Sequence, residues 1–173
     1  MAAAGQLRAA KDAMHALVSE ADGPVLGEAL IQIREAGIDP LEAVFAAGLR
    51  RFDQSGDYAA DGALGPVAWL RWKCKLSGGA AAERLTVARQ VDQLPKTEQA
   101  FSRGELSYQH VAVLARTAEH IGVEAVRKEE VSLLRAAATH DPGHGWAQPI
   151  AAAFDGAPRG RTARPAGIRR LLL

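Results

Sequence analysis

Residues 69–120 read WLRWKCKLSGGAAAERLTVARQVDQLPKTEQAFSRGELSYQHVAVLARTAEH. Breakers divide this stretch into pieces of helix length. Pro95 suits the first position of a helix, Gly104 ends that helix, and Ser107 caps the next. Val111, Leu114, Ala115 and Ala118 then return at helical spacing and define one face of a helix over 108–121. Upstream, Pro66 opens a helix over 66–75, and Ser77 caps another over 78–92. Short connections between successive helices imply neighbouring, largely antiparallel packing.

The same grammar extends in both directions. Leu7, Met14, Leu17 and Val18 mark a first helix over 6–21, which Gly23-Pro24 stops. Leu26, Leu30, Ile31 and Ile33 mark a second over 25–36, with Gly37 at its C-cap. Asp39 is an N-cap with Pro40 at the first helical position, and Leu41, Val44, Phe45 and Leu49 continue a third helix. Arg50 and Arg51 fall in its last turn, where cations suit the dipole. Residues 53–65 lack periodicity and read as a loop. Gly122 breaks the chain after residue 121, and Val126, Val131, Leu133 and Leu134 mark an eighth helix to about His140. The fold class is all-α, an irregular bundle of seven or eight short to medium helices. There is no internal repeat.

Composition agrees with this class. The 173 residues are 48% apolar but only 5% aromatic, and they suffice for one domain with a sizeable core. Alternating β-branched runs are scarce. A net charge of +1 means that any electrostatic role rests on local clustering. The single cysteine, Cys74, excludes an internal disulfide and a cysteine-rich zinc site. The N-terminus lacks a signal peptide's apolar run, and no window approaches the roughly 18 apolar residues of a membrane span. A cytoplasmic protein with no membrane contact is expected.

Residues 141–173 differ from the rest. They contain five Arg, four Pro and five Gly but no Glu or Lys, a balance that opposes helix. They read as a flexible, disordered basic tail. Two origins fit: a native flexible terminus, or a frameshifted end replacing the native continuation.

The clearest functional candidate is a basic cluster. Arg71, Lys73, Lys75, Arg84 and Arg89 lie within nineteen residues, opposed only by Glu83, a local charge of +4. Arg71 and Lys75 are one turn apart and are expected to share a helix face. Helix, Ser-Gly-Gly turn and helix are compatible with a helix-turn-helix on duplex DNA, with Arg84, Arg89 and Gln90 as base readers. The bland alternative is a solvated basic face over core residues Trp69, Leu70 and Leu76. Lys75 also stands where such turns commonly carry glycine.

No other constellation carries chemistry. His140 and His144 flank a Pro-Gly turn without the further ligands that a metal needs. His110 and His120, ten residues apart on one helix, suit surface or capping roles. Cys74 has no nameable base and reads as structural. Glu129-Glu130 reads as a solvated helix face and Asp57-Asp61 as a loop. Gly78-Gly79 lacks the Lys-Ser/Thr of a phosphate loop.

Trp69-Leu70-Arg71, Leu76-Ser77-Gly78-Gly79-Ala80-Ala81, Ala88-Arg89, Leu94-Pro95, Gly104-Glu105-Leu106-Ser107 and Leu114-Ala115-Arg116, in this order, resemble domain-of-unknown-function family 222. This is the 13E12 repeat family, abundant in actinobacteria, and the resemblance covers roughly residues 25–140. It implies a helical domain (1–140) that commonly precedes a C-terminal HNH nuclease of ββα-metal fold, and for which DNA or partner binding is the implied role. No nuclease motif carries over, so a chain truncated before that domain is expected. The expectation is a non-catalytic module without cofactor, metal or small-molecule substrate. Its partner is double-stranded DNA, or alternatively a second copy or another protein through an interaction or oligomerisation face; a non-functional remnant is the further alternative.

Overall fold

The computed structural model describes residues 2–142, 150 and 153–154, and among these no strand occurs. The helices are α1 (Ala2–Glu20), α2 (Gly23–Gln32), α3 (Asp39–Ser55), α4 (Pro66–Lys73), α5 (Gly78–Gln90), α6 (Pro95–Ser102), α7 (Tyr108–Ile121) and α8 (Val123–Ala137). A π-helical segment, Ile33–Ile38, joins α2 to α3, and 3-10 turns span Asp57–Asp61 and Val91–Gln93. The all-α class expected from the breakers is the observed one.

α7 is the centre. It packs against α5 on one side and α8 on the other, with α3 and α6 completing its surroundings. Val111, Ala112, Val113, Leu114, Ala115, Thr117 and Ala118 are all buried, so the helix is enclosed well beyond the expected single face. Phe101, Leu94, Val87, Val126 and Leu133 fill the space around it. A second, smaller core gathers Leu49, Leu70, Ala81, Leu85 and Ala88 under half-buried Trp69 and Leu76.

The expected break at Gly37–Asp39 is absent. The backbone stays helical from Gly23 to Ser55, and Asp39 sits at φ −66°, ψ −43° rather than in a cap conformation. Its N–H bonds Arg34 O, five residues back. The widened π turn gives Pro40 a place where its missing N–H and its ring do not break the helix. Asp39 still caps a helix, but a different one: its carboxylate, buried at 3% exposure, accepts the Tyr108 N–H of α7 at 3.0 Å and an Arg34 N–H at 2.8 Å. Because α3 runs on to Ser55, Arg50 and Arg51 are not in its last turn; Arg50 instead pairs with Asp92.

Gly104 fixes how the α6–α7 connection meets this segment. Its φ is +74°, and a Cβ there would lie 1.7 Å from the Glu35 carbonyl oxygen. Only glycine admits both the left-handed backbone and the contact.

Glu130 corrects another expectation. It is 1% exposed, not solvated, and its carboxylate accepts from both Thr97 N–H and Thr97 Oγ1 at 2.9 Å. It supplies the cap that Leu94, at the N-cap of α6, has no side-chain oxygen to provide. His110 is likewise buried rather than at the surface. Its Nδ1 meets Ser107 Oγ at 2.8 Å and its Nε2 meets the His140 carbonyl at 2.9 Å. A carbonyl only accepts, so Nε2 carries the proton and, in the neutral ring, Ser107 donates to Nδ1.

The Arg/Pro/Gly-rich stretch touches the core in part. Ile150 is fully buried, and Ala153 and Phe154, three and four residues on, pack against the same cluster. The remainder of 143–173, including His144 and most of the stretch expected to be disordered, lies outside the described residues.

Candidate nucleic-acid interface

The basic cluster sits on α4, the turn after it, and α5. Trp69 anchors α4: its indole N–H donates to Asp61 at 2.6 Å, and its ring lies 4.6 Å from that of Phe52. Lys75 adopts φ 59°, turning the chain out of α4, and Leu76 N–H returns to Leu70 O at 3.4 Å. Lys75 therefore does not extend the α4 face that carries Arg71, contrary to the expected shared face. Ser77 then caps α5, accepting the Ala80 N–H at 3.2 Å.

Three of the five cations are engaged by carboxylates from distant sequence. Arg84 makes a two-pronged contact with Glu42, Nη2 to Oε1 at 2.9 Å and Nη1 to Oε2, and lies between the rings of Tyr108 and Phe45 at 4.7 and 5.6 Å. The hydrogen bond to Glu42 holds the Arg84 pKa above its ordinary value. Arg89 grips Asp53 in the same way, at 2.7 and 3.0 Å, and the hydrogen bond from Arg89 holds the Asp53 carboxyl below the usual carboxylate range. Lys73 stands 3.5 Å from Asp61 and 4.1 Å from the centre of the Trp72 ring. The Trp69 indole N–H, and secondarily Lys73, lowers the pKa of Asp61.

Arg71 and Lys75 are exposed and make no ion pair among the described residues. The expected five-residue basic face thus reduces to two open cations beside exposed Trp72, plus one loosely held lysine. Glu83, read as the cluster's lone opposing charge, acts on Arg84 and also stands 3.5 Å from Arg116 of α7. None of these partners was legible locally: Glu42 and Asp53 lie 42 and 36 residues from the arginines they hold.

Beside the Arg84–Glu42 pair opens a groove of about 390 Å3, lined by Ile38, Leu41 and Phe45 on one wall and Cys74 and Leu76 on the other. Half-buried Cys74 shares this lining with one carboxylate, Glu42, which Arg84 already holds. Among the described residues, no group of three or more His, Cys, Asp or Glu side chains converges as a metal site. No helix of the described residues is long and apolar enough to cross a membrane.

A different surface went unnoticed in the sequence. α1 has nineteen residues and buries none of them. Leu7, Met14 and Leu17 are 49%, 36% and 40% exposed, and Val25, Leu30 and Ile31 of α2 are likewise open. The apolar periodicity over 6–21 marks a helix, as expected, but no residue of α1 is buried beneath a core.

No curated protein and no solved structure matches the chain. A family model described as "Domain of unknown function (DUF222)" matches residues 29–173, starting inside α2 and extending through the Arg/Pro/Gly-rich stretch. With most of its length matched, the chain belongs to the DUF222 family.

Proposed function

We propose that this domain is a non-catalytic protein-interaction module whose docking face is the helical arm formed by α1 and α2. The observation that carries this reading is a nineteen-residue amphipathic helix without one buried residue. Most helical stability in proteins comes from packing an apolar face rather than from propensity. Leu7, Met14 and Leu17 supply such a face, and burying the 36–49% of each that remains open gains about 1 kcal/mol per residue. Beside an HNH nuclease, the association implied by the resemblance, such a module contributes a contact rather than chemistry.

A photo-crosslinking amino acid in place of Met14, in the full chain in cells, tests this. Covalent protein adducts are expected. Absence of any protein adduct from this position contradicts the reading.

Nucleic-acid contact at the α4–α5 turn is the second reading, favoured by Lys75. A non-glycine residue in the left-handed region costs about 1–2 kcal/mol, and outliers of this kind cluster at working sites. The supporting cations are Arg71 and Lys75, with Lys73 recruited by breaking an exposed pair. Duplex titration against salt separates the cases. Arg71 and Lys75 alone give a log–log slope of about −1.8 and with Lys73 about −2.7, whereas all five cations expected from the sequence give about −4.5.

A further inference from the structure

We draw no further inference here: the strongest candidate, the open apolar groove between α3 and the α4–α5 turn, has its one charged pair, Arg84 and Glu42, closed on itself, and nothing in the structure shows what covers its Ile38, Leu41, Phe45 and Leu76 walls.

Discussion

Single residues hold the α6–α7 region in place, and they fail in distinguishable ways. Gly104→Ala adds a Cβ that meets the Glu35 backbone in a left-handed conformation, and backbone cannot swing aside as a side chain does. It is expected to lower stability by more than about 2 kcal/mol, from strain alone about 1–2 and the remainder from displacing the π segment. Urea unfolding followed by tryptophan fluorescence measures this. Glu130→Ala strands the Thr97 N–H and hydroxyl in a buried site and is expected to cost about 1–3 kcal/mol by the same assay. Lys75→Gly relieves a strained φ at an exposed position and is expected to be neutral or stabilising by up to about 1 kcal/mol. A clear loss there would mean that the lysine side chain contributes contacts to the fold.

At the scale of elements, what was legible depended on whether the deciding interaction was local. Ser77, Pro95, Gly104, Ser107 and Gly122 act on their own backbone, so the limits of α5, α6 and α7 follow from reading them in order. Gly37 and Pro40 also look like a stop and a start, but the π turn absorbs the proline and one helical run results. Glu130 looked solvated because a charged residue on a polar helix gives no local sign of a buried donor pair 33 residues away. The basic cluster misled for the same reason. Arg84 and Arg89 are close in sequence to other cations, yet in space their nearest charges are carboxylates of α3. This arrangement also sets a pH dependence. Arg89 depresses the Asp53 pKa, so the pair stabilises the fold above the unfolded carboxylate value of about 3.9, and that contribution fades as pH falls through the lower folded value. Arg89→Ala is expected to lower the urea midpoint at pH 7 and to lower it progressively less as pH falls below about 3.9, so that the variant loses less stability on acidification than the parent. An equal loss across this range would mean that Arg89 acts through packing alone.

At the scale of the molecule, two surfaces compete for the functional role, and their chemistry differs. The α4–α5 turn offers Arg71, Lys75 and an exposed Trp72, while neighbouring cations are neutralised within the fold. The α1–α2 arm offers exposed Leu7, Met14, Leu17, Val25, Leu30 and Ile31. Apolar periodicity made α1 visible as a helix, but periodicity alone does not say whether the covering surface comes from the same chain. The most direct test places the same photo-crosslinker at Met14 and, separately, at Trp72 in the full chain in cells. The account predicts protein adducts from position 14 and no nucleic-acid adduct from position 72. Nucleic-acid adducts from position 72, with no protein adduct from position 14, would contradict it.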